Sequence, residues 1–149
     1  MSERYLRSVR LMAECFHAFE RQSGAHIRAR TGLTSSQFDI IATLGNTSGM
    51  SFKELGEKTL ITKGTLTGVV DRLQEKGLVK RLSHLQDRRS ILVQLTKKGE
   101  AEFERVFAPQ IAYCKQSFIN YQAQDFDALE KELSKLHLSL TGQAPKLKY

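Results

Sequence analysis

The chain has 149 residues, of which 40% are hydrophobic and 26% are charged, a composition typical of one globular domain with enough length to bury a core. Its 23 Lys and Arg against 16 Asp and Glu give a net charge of +7, which favours polyanionic partners and excludes an acidic disordered chain. No apolar run approaches the roughly 20 residues of a membrane span, and no continuous apolar segment opens the chain, so we expect a cytoplasmic protein that binds no membrane.

The first predicted element is an amphipathic N-terminal helix. Its apolar side chains recur at spacings of three and four residues, with charged residues on the other faces. Such a stripe packs either inside the chain's own core or against a second copy, and periodicity alone favours the two equally. The stripe consists of Tyr5, Val9, Met12, Phe16 and Phe19.

A second helix is predicted from its capping residues. Thr34 and Gln37 form a capping-box pattern, in which each side chain satisfies a backbone N–H at the start of a helix. Phe38, Ile41 and Ala42 then supply a buried stripe, and residues 46–49 break the chain.

A helix-turn-helix follows. Ser51 and Glu54 form a second capping box, which opens a short helix through Lys58 that buries Leu55. After a turn at residues 59–61, the next helix runs from Thr62 to Lys76 and is ended by Gly77. Its buried stripe consists of Leu66, Val69, Val70 and Leu73. Two helices joined by so short a turn are typical of DNA-binding modules.

The opposite face of this second helix is poor in bulky side chains. It carries Gly64, Thr65, Gly68, Asp71, Arg72 and Glu75. A glycine inside a helix costs about 1 kcal/mol relative to alanine. Gly68 therefore indicates either the close approach of another backbone, such as a nucleic-acid strand, or a tolerated surface glycine.

A β-hairpin is predicted after Gly77. Segments 78–83 and 91–95 have strand character, and a polar loop joins them at residues 84–90. The loop contains Asp87, Arg88 and Arg89. Charged hairpin tips are most often simply solvated, but a hairpin directly after a helix-turn-helix is a wing, and arginine at its tip suits the narrow minor groove of DNA.

Positive charge is concentrated in the same part of the chain. Residues 51–98 hold eleven Lys and Arg against five Asp and Glu. This distribution is the electrostatic pattern expected for phosphate binding. A solvated basic surface explains the counts equally well, because counts do not show clustering in space.

Two further helices are predicted at the C-terminus. Thr96 caps a long helix that Pro109 should kink or perturb in its middle. Its stripe consists of Phe103, Phe107, Ile111, Cys114, Phe118 and Tyr121. Asp125 is predicted to cap the last helix, whose stripe is Phe126, Leu129, Leu133, Leu136 and Leu140. The tail after residue 140 shows no packed element.

The sequence contains no pattern of catalytic or metal-binding residues. Cys15 and Cys114 have no CxxC partner, and the four histidines are scattered. We therefore predict neither an enzyme nor a metal site nor a cofactor. Cys15 is expected to be a buried, inert thiol.

The motifs together resemble the MarR family of bacterial winged-helix transcription regulators. The order and spacing match in segments 64–67, 71–73, 76–81, 87–90 and 95–99, and residues 32–38 fit the start of the family's second helix. The fold expected is mostly α with a small β-hairpin wing: one domain over residues 1–149, with a winged helix at 33–99 and dimerisation helices at 1–32 and 100–149.

This resemblance implies a homodimer and a set of DNA contacts. The implied dimer interface consists of Tyr5, Val9, Met12, Phe118, Phe126, Leu129, Leu133, Leu136 and Leu140. The helix from Thr62 or Lys63 would enter the major groove, Arg72 would contact the DNA backbone or pair with Asp87, and Arg89 would enter the minor groove. The full set of predicted DNA-binding residues is Ser51, Thr62, Lys63, Gly64, Thr65, Gly68, Arg72, Arg81, Asp87, Arg88 and Arg89. Gly68 replaces a larger groove-reading residue of some relatives, so we expect DNA shape to supply much of the specificity.

The expected function is that of a sequence-specific regulator of double-stranded DNA, a repressor that binds a pseudo-palindromic operator as a homodimer. A small aromatic or lipophilic effector would release it. Phe16, His17, Phe19, His26, Arg30 and Phe38 lie in suitable elements, but they do not define an effector site. Two alternatives stay open: an oxidant sensor acting through Cys15, and a winged-helix protein-interaction module that binds no DNA.

Overall fold

A computed structural model describes residues 3–84 and 87–147 of the chain, apart from the side chains of residues 84 and 87–89. Within these residues six α-helices, three β-strands and a short 3-10 turn at 116–118 follow one another. The helices are α1 (Arg4–Thr31), α2 (Ser35–Leu44), α3 (Phe52–Thr59), α4 (Lys63–Glu75), α5 (Lys97–Lys115) and α6 (Ala123–Thr141), and the strands are β1 (Met50–Ser51), β2 (Val79–His84) and β3 (Asp87–Leu95). The mostly helical fold with a small β element is the predicted one, and none of the described helices is long and apolar enough to cross a membrane.

The capping residues begin α2 and α3 where the sequence places them. Thr34 Oγ1 accepts the N–H of Gln37 at 3.2 Å, and Gln37 Oε1 accepts the N–H of Thr34 at 3.1 Å. Ser51 Oγ accepts the N–H of Glu54 at 3.1 Å. These bonds satisfy backbone donors that a helix start leaves without partners.

The sheet is larger than the predicted hairpin. It has three antiparallel strands in the order β1-β3-β2, and Val93 lies between Met50 of β1 and Arg81 of β2. β1 was missed because two residues cannot show an alternating pattern. β3 starts at Asp87 rather than at Ile91, since the polar segment 87–90 continues the strand without an apolar signature.

The chain divides into two compact units, residues 1–113 and 114–149. In the first unit a continuous core joins α2, α3, α4 and the sheet. Its most deeply buried side chains are Ile40, Ile41, Leu44, Leu55, Leu66, Val70, Leu73, Val79 and Val93. The predicted division of the domain at residues 32/33 and 99/100 stays a prediction.

The second unit contains the 3-10 turn and α6. Phe118, Tyr121 and Phe126 form an aromatic cluster with ring centroids 5.2–5.8 Å apart. All nineteen residues of α6 are described, and none of them is buried. The unit therefore presents an apolar helix face without a covering layer of its own.

Two predictions about the terminal helices are wrong in detail, and the kink at Pro109 stays a prediction. α5 includes Pro109 and ends at Lys115, so Phe118 and Tyr121 lie beyond it. Their rings pack on Phe126 of α6 and do not extend the stripe of α5. The N-cap of α6 is Gln122; Asp125 lies three residues inside and accepts the N–H of Gln122 at 2.8 Å.

Cys15 is exposed, not buried as predicted. Gly24 and Ile27 are the buried residues of α1. Among the residues of α1 before Gly24, Met12, Ala18 and Ser23 are half-buried and the others are exposed. The prediction rested on the general tendency of free cysteine to pack as a small hydrophobic residue, and Cys15 lies in the exposed part of α1.

Candidate nucleic-acid interface

The turn between α3 and α4 is held by local hydrogen bonds. Leu60 adopts a left-handed conformation (φ 58°), and its N–H donates to Gly56 O at 3.0 Å. Thr59 Oγ1 donates to Leu55 O at 2.6 Å and accepts the N–H of Ile61 at 3.3 Å. These bonds fix the direction in which the chain enters α4.

The helix α4 has one buried and one outward face, as predicted. Leu66, Val69, Val70 and Leu73 are buried. Thr62 is the N-cap, but its hydroxyl donates to Thr65 Oγ1 at 3.2 Å and makes no bond to the helix backbone. The exposed side of the helix, which includes every α4 residue predicted to bind DNA except half-buried Gly68, consists of Lys63, Gly64, Thr65, Thr67, Asp71, Arg72, Gln74 and Glu75.

The two glycines of α4 leave open space on its outward face. A Cβ at Gly64 would meet nothing within 4 Å. A Cβ at Gly68 would meet only the Arg72 guanidinium, at 4.0 Å. The fold therefore does not itself require glycine at either position, and the outward face is shallow at the centre of the helix.

Arg81 joins three elements behind this face. It forms an ion pair with Asp71 and a hydrogen bond with Gln74, both of α4. Its guanidinium carbon lies 5.5 Å from the centroid of the Phe52 ring of α3, a distance at which a cation is attracted to an aromatic face. The family resemblance implies a role for Arg81, but its partners could not be predicted, because no spacing rule links a strand to a helix ten residues earlier.

The predicted wing contacts fall outside the described side chains. The structure gives the backbone of Asp87, Arg88 and Arg89 as the start of β3 and describes nothing of their side chains. The implied pairing of Arg72 with Asp87 and the implied position of Arg89 in the minor groove stay predictions.

Most of the positive charge between residues 51 and 98 is available to a partner. Of the nine basic side chains described there, eight are exposed and only Arg81 is half-buried. The exposed ones are Lys53, Lys58, Lys63, Arg72, Lys76, Lys80, Lys97 and Lys98.

The residues considered for an effector site differ in their surroundings. Phe38 belongs to the core, whereas Phe16, His17, Phe19 and Arg30 are exposed. His26 stacks on Tyr113 with ring centroids 3.8 Å apart, and its Nδ1 lies 2.6 Å from Oε1 of buried Gln110. Among the described residues no group of three His, Cys, Asp or Glu is arranged to hold a metal ion.

A helix-turn-helix followed by a β-hairpin, with an exposed recognition face and a basic surrounding surface, defines the winged-helix class of DNA-binding proteins. The MarR family model matches residues 33–91. The repressor YetL of Bacillus subtilis is 31% identical over 113 residues, which cover 74% of this chain and 68% of YetL. The chain belongs to the MarR family; it is a transcription regulator and not an enzyme.

Solved structures support the same assignment over nearly the whole chain. AbsC, a MarR family regulator of Streptomyces coelicolor, is 25% identical with a TM-score of 0.82 and covers 93% of this chain and 95% of its own. BpsR of Bordetella bronchiseptica is 26% identical with a TM-score of 0.75 and covers 86% of this chain and 91% of its own. The DNA binding of BpsR is regulated by 6-hydroxynicotinic acid.

Proposed function

We propose that the protein is a repressor that binds a pseudo-palindromic operator in double-stranded DNA as a homodimer and is released by a small-molecule effector. The observation that carries the DNA-binding part is the outward face of α4, a shallow exposed surface at the centre of the most basic part of the chain. Since bacterial operators lie on the chromosome, this function would place the protein in the cytoplasm.

The start of α4 would meet the DNA first. Thr62 leaves the first turn of the helix without a side-chain cap, and backbone N–H groups at a helix start attract phosphate. Lys63, Gly64 and Thr65 would contact phosphates or base edges there, with Ser51 and Arg72 on the flanking backbone. Because Gly64 and Gly68 present no side chain to the base edges, DNA shape would supply much of the specificity.

The hairpin would act as the wing. Asp87, Arg88 and Arg89 lie close to the connection between β2 and β3, and an arginine there suits the electronegative minor groove of a narrow A·T segment. The order helix-turn-helix then hairpin is what supports this role.

The terminal helices would join two copies. Tyr5 and Val9 of α1 are 64% and 52% exposed, and Leu129 and Leu133 of α6 are 41% and 43% exposed. Apolar side chains repeated along one helix face are typical of a surface that a partner covers. The proposed interface comprises Tyr5, Val9, Met12, Phe118, Phe126, Leu129, Leu133, Leu136 and Leu140. A twofold-symmetric dimer explains why its operator would be a pseudo-palindrome.

One structural relative supports a small aromatic or lipophilic compound as the effector class. BpsR responds to 6-hydroxynicotinic acid, which unites an aromatic ring with a carboxylate. The effector of this chain would belong to the same broad class of small aromatic or lipophilic compounds.

The charge of Lys63 gives a direct test of the DNA-binding role. The logarithm of the DNA association constant falls with the logarithm of salt concentration by about 0.9 for each phosphate contact. Lys63→Gln should therefore reduce the magnitude of this slope by about 0.9, the value of one phosphate contact. The slope is measured by fluorescence anisotropy titrations with duplex DNA. Lys131→Gln, which removes an exposed charge from α6, is the matched control and should not change the slope. Equal slopes for all three proteins would contradict the proposed interface.

Exposure of Cys15 favours one second candidate, release of DNA by thiol oxidation. The thiolate would be the reactive species. If peroxide releases wild-type protein from DNA and Cys15→Ser abolishes that release, the second candidate is supported. Unchanged release in Cys15→Ser would exclude it.

A further inference from the structure

We propose that Arg81 is a positioning residue that fixes α4 against α3 and the base of the wing, and not a residue that contacts DNA phosphate. This inference rests on the proposed DNA-binding function and assigns Arg81 a role different from the one its sequence motif implies. It is carried by the direction and the partners of the side chain.

The strand register determines the direction of Arg81. Directly paired residues of adjacent strands point to the same face of a sheet, and residues two apart along a strand share a face. Arg81 pairs with Val93, which pairs in turn with Met50, and both of these side chains are buried. Val79, two residues before Arg81, is buried as well. Arg81 thus extends from the face of the sheet that covers the core.

The neighbours of Arg81 on the strand confirm this alternation. Lys80 and Leu82 point to the other face and are exposed, whereas the Arg81 side chain is only 24% exposed. A strand residue that binds phosphate would be expected on the exposed face, where Lys80 lies.

Three groups occupy the guanidinium. Asp71 and Gln74 lie three residues apart on α4, so they are adjacent on its surface, and both bind Arg81. The Phe52 ring of α3 lies beside the same group. The planar guanidinium holds its N–H donors in a fixed fork that matches two adjacent acceptors beside a ring, whereas lysine carries a compact charge on a flexible stem without this geometry.

The ion pair also changes the charge of the outward face. Asp71 is 53% exposed on the helix proposed to meet DNA, and an unpaired carboxylate there would repel phosphate. Arg81 reaches this carboxylate from behind and neutralises it. The two residues therefore act on DNA binding as a pair, through the orientation of α4 and through its charge.

The two possible roles of Arg81 predict opposite changes in DNA affinity for Asp71→Asn. If Arg81 serves phosphate, Asp71→Asn removes a competitor and a repelling charge, so DNA binding becomes tighter. If Arg81 positions α4, the same substitution loosens the helix, and binding becomes about tenfold weaker. Arg81→Gln should then weaken binding by a similar factor, and the double variant should be no weaker than either single variant, because the three groups form one unit.

Salt and the conservative substitution separate the roles further. Binding of a labelled duplex from the region upstream of the gene is measured by fluorescence anisotropy at about 50 and about 200 mM salt. In the Asp71→Asn background, where no carboxylate is left unpaired, Arg81→Gln should leave the affinity unchanged at both concentrations, whereas loss of a phosphate contact would lower it most at low salt. In the otherwise wild-type protein, Arg81→Lys should not preserve the affinity. Lys80→Gln removes the same charge from the exposed face of the same strand, and any effect it has should shrink as salt rises.

The outcomes distinguish this inference from the function on which it rests. Asp71→Asn binding more tightly, or Arg81→Lys binding like the wild type, would overturn the positioning role while leaving DNA binding intact. Absence of wild-type binding to any duplex would instead contradict the proposed function. The contact between Arg81 and Asp71 can also be measured without DNA. In a double-mutant cycle of Asp71→Asn and Arg81→Gln, the changes in the free energy of unfolding in urea should be coupled, and strictly additive changes would overturn the positioning role.

Discussion

The substitution Gly68→Ala separates the two explanations of a glycine at the centre of α4. The Cβ would lie 4.0 Å from its nearest neighbour, an Arg72 nitrogen, which is ordinary contact and adds no steric cost. Glycine inside a helix is less favourable than alanine by about 1 kcal/mol. Gly68→Ala should therefore stabilise the free protein by about this amount and raise its Tm by about 2–4 °C.

The effect on DNA binding should have the opposite sign if a DNA backbone approaches Gly68 closely. A methyl group forced into a filled contact costs about 1–3 kcal/mol, so affinity for the specific duplex should fall by at least about fivefold. Gly56→Ala in α3 is the matched control: its Cβ would lie 3.7 Å from Ile61 O and from the Leu66 side chain, which is ordinary contact, and it should leave DNA affinity unchanged. Thermal unfolding and fluorescence anisotropy measure the two effects. Unchanged affinity of Gly68→Ala would refute the close approach, and an unchanged Tm would refute the argument from open space.

Two further substitutions test the dimer and the base of the winged helix. Leu129→Glu should convert the dimer into a monomer, because it places a charge among apolar side chains. Size-exclusion chromatography with light scattering measures the mass, and the exposed control Lys131→Glu should keep it at twice that of one chain. A monomeric wild type would contradict the interface. Gly99→Ala should lower the free energy of unfolding in urea by at least about 2 kcal/mol, because a Cβ there would overlap the backbone carbonyl of Leu78. In the control Gly64→Ala the Cβ has nothing within 4 Å, so this variant should not lose stability. Equal stability of the two variants would contradict the packing around Gly99.

The elements with local signals were predictable from the sequence. Capping residues such as Thr34 and Ser51 act within three residues of themselves, and the buried stripe of α4 follows from helical periodicity alone. The helix-turn-helix and the hairpin were therefore placed nearly where the structure has them. The exposure of the outward face of α4 followed as well, since it is the complement of the buried stripe.

What escaped prediction depends on contacts distant in sequence. β1 exists because Met50 and Ser51 pair with residues more than forty positions later, and a segment of two residues carries no periodic signal. To predict the contacts of Arg81, one must know which way a strand side chain points and which helix lies beneath the strand. Gly99 is explained by the Leu78 carbonyl that it approaches. Cys15 was predicted buried from the general tendency of free cysteine, which does not tell which part of α1 packs on the core.

The most direct test of the account is a titration of the wild-type protein into two labelled duplexes of equal length at two salt concentrations. One duplex comes from the region upstream of the protein's own gene, and the other is its scrambled sequence. If the protein is a sequence-specific regulator, it should bind the upstream duplex tightly, and this binding should weaken as salt rises. Its binding to the scrambled duplex should be far weaker. Binding to neither duplex at low salt would contradict it and would favour a winged helix that binds another protein.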